Sequence, residues 1–251
     1  MQLTGIEVVE DLTASSRCDE GFLKLSRLCL RNRYDDGSES AVYPCDVVTR
    51  PGSDAVVAVL FEQSSPGQIK ILLREGVRPP IYFRKLKTFV HPDAREYRTI
   101  AEVVAGIVED SDPPGTPGLQ RRAANEVLEE AGHEIEPAGF QEIGAASFAS
   151  PGTSDEKIFY CAAPAPLSAG PTRAPEGDGS VMEEFGQLFE LELRDAIARC
   201  RSGDIPDMKT ELALLRLADH LGYIAQLDCF ESELPQNLRQ KYSRLGVPRG
   251  H

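Results

Sequence analysis

The chain has 251 residues, of which 41% are hydrophobic and 27% are charged, and its formal net charge is −13. This length suits one large domain, or one domain with a smaller appendage. The excess of negative charge disfavours nucleic acid and anionic membranes as partners. A small anionic substrate remains compatible with it, provided that a divalent cation and a few arginines reverse the sign locally.

The sequence carries no pattern typical of export or membrane insertion. Residues 1–12 include acidic side chains and lack the basic-then-apolar order of a signal peptide. The longest strongly apolar stretch, residues 55–61, is far too short to cross a bilayer. The six cysteines include no C-x-x-C pair, so we interpret them as thiols in a reducing compartment. These features predict a cytoplasmic protein.

The first part of the chain is predicted to be mostly extended. Residues 22–31 alternate apolar and polar side chains, and a second extended run at 42–48 follows a turn, which predicts a hairpin. Residues 54–61 (DAVVAVLF) have the apolar, β-branched composition of a strand buried on both faces. A returning strand is expected at 69–73, and an apolar segment lies at 101–108.

The second part of the chain mixes helices and strands. Three prolines and two glycines in residues 110–118 predict an exposed loop, and a helix is expected to follow and to end at Gly132. Further strands are predicted at 140–149, 157–163 and 185–193, and further helices at 191–200 and 209–222. This mixture indicates an α/β layered domain with an N-terminal β extension.

The predicted helix at 121–132 (RRAANEVLEEAG) concentrates negative charge. Glu126, Glu129 and Glu130 fall within about 100° of one another around its axis. The side expected to pack on a sheet carries Ala124, Val127, Leu128 and Ala131. Like charges at this spacing repel, and a hard cation such as Mg²⁺ would remove the repulsion. On the helix alone, a solvated acidic face is the alternative interpretation.

Three blocks of sequence, together with a fourth similar segment, resemble the Nudix hydrolases. Residues 125–132 match the second half of the Nudix signature, R-E-(apolar)-x-E-E-x-G, with asparagine in place of arginine. Residues 101–109 and 150–157 resemble the lead-in and the S-P-G-x-x-x-E turn of its ADP-ribose pyrophosphatase or nucleoside-diphosphate-sugar hydrolase branch. Residues 202–210 are similar to a late segment between two helices of that branch. The likeness runs in order from about residue 22 to residue 223.

The resemblance implies a fold and a domain plan. The expected fold is an α/β/α sandwich with a mixed sheet, plus an N-terminal antiparallel β extension. Residues 1–50 would form that extension and mediate dimerisation, residues 51–223 would form the catalytic domain, and residues 224–251 would form a helical tail.

The resemblance also implies a metal site. Glu126 and Glu130 would be the leading Mg²⁺ ligands, Glu129 would assist, and the carbonyl of Ala105 would complete the site, with Mn²⁺ able to take the place of Mg²⁺. These three glutamates would therefore also be catalytic.

Other residues are implied to bind the substrate or to move a proton. The expected substrate-binding residues are Arg74, Arg78, Glu102 and Gly152. An arginine suits phosphate because its planar group donates two parallel hydrogen bonds. For the arginines the alternative is an ordinary surface ion pair. For Glu102 it is a carboxylate at a strand edge, and for Gly152 it is a role in shaping a turn. Glu183 or Glu184 would be the general base, and a simple loop charge is the alternative for both.

Two departures from the family pattern stand out. The stretch from Gly106 to Asn125 is longer than the family spacing, and Asp112 stands where the first signature glutamate belongs. Asn125 replaces the signature arginine, which normally orients the loop and pairs with a helix glutamate. Arg122 lies four residues before Glu126 and would partly replace it.

The function implied by the resemblance is Mg²⁺-dependent hydrolysis of the diphosphate of a nucleoside diphosphate sugar. ADP-ribose, cleaved to AMP and ribose 5-phosphate, is the first candidate, and a UDP- or GDP-sugar is the alternative within the same class. A catalytically weakened Nudix module that only binds a nucleotide is the alternative from another class. We expect a homodimer and no nucleic-acid or membrane partner.

Overall fold

A mixed β-sheet with helices on both faces forms the centre of the fold. The structure is a computed structural model that describes residue 17 and residues 20–65, 68–176 and 187–242. Within these residues an eight-stranded sheet, a separate two-stranded hairpin near the N-terminus and a second small hairpin near the C-terminus are present. This arrangement confirms the α/β fold class expected from the sequence.

The N-terminal hairpin consists of β1 (Lys24–Leu30) and β2 (Tyr43–Thr49), which pair antiparallel. It joins the rest of the molecule through a hydrogen bond from the amide of Val48 to the carbonyl of Thr153, at 2.8 Å. Just after β2, Arg50 forms a 2.8 Å ion pair with Glu156. The predicted hairpin is therefore confirmed, and its second strand is anchored beside the turn at residues 150–154.

The central sheet is built from eight strands in the order β10-β4-β3-β9-β7, with β5, β6 and β8 pairing with β4, β3 and β9 respectively. The strands are β3 (Ala55–Ser65), β4 (Gln68–Gly76), β5 (Ile100–Glu102), β6 (Val104–Ile107), β7 (Gln141–Glu142), β8 (Ser147–Phe148), β9 (Lys157–Pro164) and β10 (Leu188–Glu192). Strands β3 and β9 are parallel, whereas the other pairs of this sheet are antiparallel.

The described helices are mostly short, and three of them pack on the sheet. The α-helices are α1 (Pro79–Tyr82), α2 (Thr116–Ala131), α3 (Leu193–Ser202), α4 (Met208–Leu221) and α5 (Gln236–Arg239). Single 3-10 turns occur at Phe83–Leu86, Pro137–Gly139, Leu167–Ala169 and Glu231–Glu233.

Strand β3 separates two hydrophobic cores. Val57 and Val59 face α3 and α4, while Val56, Ala58 and Leu60 face α2, and all five are almost completely buried. This alternation follows from the period of two along a strand. Burying each valine or leucine stabilises the fold by about 1.5–3 kcal/mol, so β3 has to be apolar on both faces. The prediction for residues 54–61 is confirmed.

Helix α2 carries the acidic motif and ends where the sequence predicted. Gly132 adopts a left-handed conformation, with φ 68°, and its amide bonds to the carbonyl of Leu128. The helix begins at Thr116 rather than near residue 121, so the predicted loop at 110–118 is too long and ends at Gly115. A proline in the first turn is compatible with this earlier start, because that position needs no backbone donor.

The buried face of α2 also differs from the prediction. Ala124, Val127 and Ala131 are buried as expected, whereas Leu128 is only partly buried. Glu130 is 6% exposed, although it was expected on the side of the helix opposite the sheet. The helix is rotated so that the edge of its acidic face also meets the sheet, and Arg74 neutralises the carboxylate placed there.

The prediction of a helical tail at 224–251 is wrong for most of the part that the structure describes. Strands β11 (Tyr223–Ile224) and β12 (Cys229–Phe230) form a tight hairpin, and in the described part only the 3-10 turn Glu231–Glu233 and the single turn α5 are helical. Gly222 ends α4, and Asp228 has a φ of 53° in the turn that follows. These two positions reverse the chain before a helix can continue. Residues 243–251 lie outside the described residues.

Two further findings concern membranes and thiols. Among the residues that the structure describes, no helix is long and apolar enough to cross a membrane. The five described cysteines are all free thiols, and Cys18 lies outside the described residues. Burial raises the pKa of both Cys161 and Cys200 to about 12, so these two thiols stay protonated and unreactive at neutral pH.

The apolar side chains of the N-terminal hairpin motivate the prediction of a homodimer. Leu23, Leu28 and Val42 are 53%, 44% and 56% exposed, and a two-stranded unit is marginal in water unless its apolar face is covered. A two-fold symmetric dimer, which is the most common homo-oligomer, would bury this face. We expect light scattering at micromolar concentration to give about twice the monomer mass of 27.5 kDa. Leu28→Ser should shift the protein toward monomer, and a single monomeric species for the parent would contradict the prediction.

His133, which follows the end of α2, gives a prediction about pH. The side chain is 3% exposed, and burial lowers its pKa below the ordinary value of 6.5. At acidic pH the unfolded chain therefore binds a proton at His133 more readily than the folded chain does. The free energy of unfolding is not reduced by this effect above about pH 6.5, and it falls as the pH drops below that value. His133→Gln should remove the part of this acid-induced decrease in the free energy of unfolding that His133 causes.

Urea unfolding at about pH 7.5 and pH 5.5 measures the effect. The control is His91→Gln, which changes an exposed histidine and should keep the pH dependence of the parent. An unchanged pH dependence in His133→Gln would show that His133 does not carry the loss.

Candidate active site

A cleft of about 410 Å³ opens beside strand β6. Its floor is apolar and comes from β3, β6 and β9, with Val57, Ala105 and Ile158 among the contributors. Three cationic and three anionic side chains surround this floor: Arg50, Arg78, Lys209, Glu102, Glu156 and Asp207. An apolar floor with a few convergent charged groups is typical of a site for a small polar ligand.

Glu102 lies between two cations at one wall of the cleft. Its Oε2 accepts a 2.7 Å hydrogen bond from Nε of Arg78, and its Oε1 accepts one from Nζ of Lys209. The Glu102 side chain is 7% exposed, whereas that of Arg78 is 38% exposed. The structure thus brings two of the predicted substrate-binding residues, Arg78 and Glu102, together in one ion-pair cluster.

The start of α4 supplies the other cation of that wall. Asp207 caps the helix by accepting hydrogen bonds from the amide and the hydroxyl of Thr210, at 3.0 and 2.6 Å. The same carboxylate accepts a 2.9 Å bond from Lys209. Burial by itself would lower the pKa of Lys209, but the carboxylates of Glu102 and Asp207 outweigh it and raise that pKa, so the ammonium stays charged.

Residue Gly106 links the cleft to helix α2. It lines the cleft, and a Cβ built at this glycine would lie only 1.8 Å from Cδ of Glu126. The carboxyl group of Glu126 therefore occupies the space that any other residue at 106 would fill. Strand β6 thus carries the cleft-lining residues Ala105 and Gly106 and also supports the first of the predicted metal ligands.

Arg122 forms ion pairs with three acidic side chains near Gly106. It donates to Asp112 from Nε at 2.9 Å and from a terminal nitrogen at 3.3 Å, and it lies 2.9 Å from Glu109. Its third neighbour is Glu126, at 3.6 Å. The side chain of Asp112 is only 2% exposed and needs this counter-ion. Arg122 thus holds the loop before α2 and also pairs with Glu126.

Glu130 and Arg74 form a buried pair on the next turn of α2. A terminal nitrogen of Arg74 donates a 2.7 Å hydrogen bond to Oε1 of Glu130, and both side chains are less than 10% exposed (7% and 6%). This placement favours neutralisation of Glu130 over direct substrate binding by Arg74. Glu129 is partly buried on the same helix.

The remaining predicted site residues lie away from the cleft or outside the described residues. Gly152 is exposed in the turn at 150–154, and it is not among the residues that line the cleft. Glu183 and Glu184, the candidates for the general base, lie outside the described residues.

Sequence reasoning missed several cleft residues. Arg50, Glu156, Asp207 and Lys209 line the cleft, and none of them was singled out as a site residue. The segment at 202–210 had been noted only for its likeness to a connection between helices. The capping pattern Asp-x-x-Thr at 207–210 was the available signal, because it places Lys209, one of the two residues between them, in the first turn of a helix.

The donors on α2 can be tested against the chemistry of Mg²⁺. In the part of the chain that the structure describes, no group of three or more histidine, cysteine, aspartate or glutamate side chains is arranged to hold a metal ion. Mg²⁺ does not need such a cage, since it usually keeps several waters and binds one or two carboxylates plus substrate phosphates. Glu126 over the Cβ-free Gly106 provides an oxygen donor of that kind, so the residues present fit the ion.

Comparison with protein-family models gives no match, and neither does comparison with curated proteins. An assignment of activity to this chain therefore depends on the residues of the cleft and of α2 themselves.

Proposed function

We propose that the chain is a Mg²⁺-dependent Nudix-type hydrolase that cleaves the diphosphate of a nucleoside diphosphate sugar. ADP-ribose is the first candidate, and one water molecule would convert it to AMP and ribose 5-phosphate. A UDP- or GDP-sugar is the alternative substrate within the same chemistry.

A single observation carries the proposal: the Glu126 carboxyl group rests on Gly106, and Gly106 lines the charged cleft. Strand β6 therefore contacts a carboxylate that can hold a cation and also lines a cleft that can hold an anionic ligand, although Glu126 is not itself among the residues that line the cleft. Cleavage of a diphosphate needs both features at one place, because the substrate brings negative charge and more develops during the reaction. An acidic face that was merely solvated would not need a glycine beneath it.

The chain's own residues would divide the work as follows. Glu126, with Glu129 and Glu130 on the same helix, would hold the metal ion, and Arg122 keeps Glu126 in place. Arg78 can receive a phosphate oxygen because its guanidinium reaches the cleft surface. The apolar floor at Val57 and Ile158 gives the uncharged part of the ligand a dry surface. When bound, Mg²⁺ supplies positive charge that offsets the charge of the diphosphate.

A panel of sugar nucleotides tests the proposal. ADP-ribose, UDP-glucose and GDP-mannose are incubated with the protein and Mg²⁺, and the products are identified by mass. We expect a nucleoside monophosphate and a sugar phosphate in equal amounts from at least one of them. Binding without turnover for every member would favour the nucleotide-binding module instead. Neither binding nor turnover would exclude both functions for these substrates.

A further inference from the structure

We propose that Lys209 joins Arg78, already assigned to phosphate above, in a two-pronged binding site for a phosphate group, which we call the cationic fork, and that Glu102 positions the fork without touching the ligand. The identification of the anion as the substrate's diphosphate rests on the proposed function. The fork itself is inferred from the hydrogen-bond inventory of three side chains that line one wall of the cleft.

The donors of the fork are only partly used within the protein. A guanidinium has five N–H groups. Arg78 spends its Nε–H on Glu102, and among the described residues its two terminal nitrogens make no hydrogen bond. An ammonium has three N–H groups, and Lys209 directs two of them to Glu102 and Asp207. As far as the described residues go, four N–H groups of the arginine and one of the lysine are therefore left for a ligand.

The acceptor of this cluster, the carboxylate of Glu102, has both of its oxygens occupied by hydrogen bonds. Each oxygen of Glu102 already accepts a charged donor, one from Arg78 and the other from Lys209. The side chain is 7% exposed, and ligation of a metal or a ligand by this carboxylate would require breaking one of the two bonds. Glu102 is thus better described as the counter-ion that fixes the distance between the two cations. This differs from the substrate-binding role that the resemblance implied for it.

The other cation of the cleft does not belong to the fork. Arg50 donates to the carbonyl of Gly52 and, at 2.8 Å, to Glu156, and its side chain is only 12% exposed. Its contacts fix the chain between the hairpin and the sheet. An anion entering the cleft would meet N–H donors of Arg78, at the start of α1, and of Lys209, at the start of α4.

The test measures binding of inorganic pyrophosphate by calorimetry, in EDTA and at near-physiological salt. No metal is present, so the outcome is independent of hydrolysis. We expect saturable binding by the parent and a loss of about tenfold or more in Arg78→Met, the loss expected for one charge-assisted hydrogen bond. Lys209→Met should show a similar loss, and Lys209→Arg should restore most of the affinity. The control is Lys87→Met, which changes an exposed lysine outside the cleft and should bind as the parent does.

Glu102→Gln separates the positioning role from simple charge. Removal of a negative charge beside an anion would strengthen binding if Glu102 only repelled the ligand. The proposal predicts the opposite sign, because the fork loses the group that holds it, with a fall of about threefold or more. Urea unfolding of each variant shows whether it is folded. If Lys209→Met does not fold, Arg78→Met still tests the proposal, because it changes a side chain that is 38% exposed.

Three results would overturn the proposal. They are no saturable binding of pyrophosphate by the parent, unchanged affinity in folded Arg78→Met, and tighter binding in Glu102→Gln. If pyrophosphate binds as expected while no sugar nucleotide is cleaved, the fork stands and the proposed hydrolase function fails. If cleavage occurs while folded Arg78→Met binds pyrophosphate like the parent, the function stands and the fork fails.

Discussion

Glu126→Gln should lower kcat for the preferred sugar nucleotide by about 100-fold or more, with little change in the free energy of unfolding. The substitution keeps the shape of the side chain but removes the charge that would hold a cation against Gly106. Arg122, which lies 3.6 Å from Glu126, keeps its two hydrogen bonds to Asp112, so the loss of the Glu126 charge does not leave this guanidinium unpaired. The folded state should therefore survive.

Steady-state kinetics at saturating Mg²⁺ measures this effect, and urea unfolding monitors the fold. The matched control is Glu134→Gln, an exposed glutamate just beyond the end of α2, which should keep the activity of the parent. Glu130→Gln should also lower kcat by about 100-fold or more, because it removes the second carboxylate implied for the metal. Near-parent turnover in both the 126 and 130 variants would show that the carboxylates of α2 do not hold a metal ion needed for catalysis.

Arg122→Met should destabilise the fold by about 3 kcal/mol or more. The carboxylate of Asp112, with 2% of its side chain exposed, would lose its two hydrogen bonds from the guanidinium, and Glu109 would lose its ion pair. Arg122→Lys should fall between the parent and the methionine variant, because lysine keeps the charge but not the planar pair of donors.

Urea unfolding of a double-mutant cycle with Asp112→Asn measures the coupling. The double variant should lose less than the sum of the two single losses, because each single change leaves a charged partner behind. Additive losses would show that the two side chains do not stabilise each other.

Asn125→Arg should leave activity equal or higher, and a clear fall would show that the loop before α2 has its own contacts with Asn125.

The parts of the fold that the sequence predicted well are those governed by local pattern. The apolar run at 54–61 predicted the two-sided burial of β3, because only a strand between two cores is apolar at every position. Gly132 predicted the end of α2, because a left-handed residue ends a helix with little strain only when it is glycine. The tail was mispredicted because its hairpin is set by two-residue strands, which are too short to show a period.

The arrangement of the candidate site was harder to predict, because it is made by contacts between distant residues. Arg74 meets Glu130 across 56 residues of sequence, and Lys209 meets Glu102 across 107. A helical projection can show that three glutamates share a face, but it does not show that one of them is buried by an arginine from a strand. Arg122 was identified in advance because its partner Glu126 is on the same helix, whereas its contacts with the preceding loop were not.

The central claim is that this chain cleaves a nucleoside diphosphate sugar with the help of a divalent cation. Its most direct test follows ADP-ribose by ³¹P NMR with EDTA-treated protein, first without added metal and then with excess Mg²⁺. We expect no change in ADP-ribose before the addition of Mg²⁺, and equal amounts of AMP and ribose 5-phosphate after it. Cleavage at the same rate before and after the addition of Mg²⁺ would contradict the claim, as would no cleavage of ADP-ribose, UDP-glucose or GDP-mannose at a protein concentration close to that of the substrate.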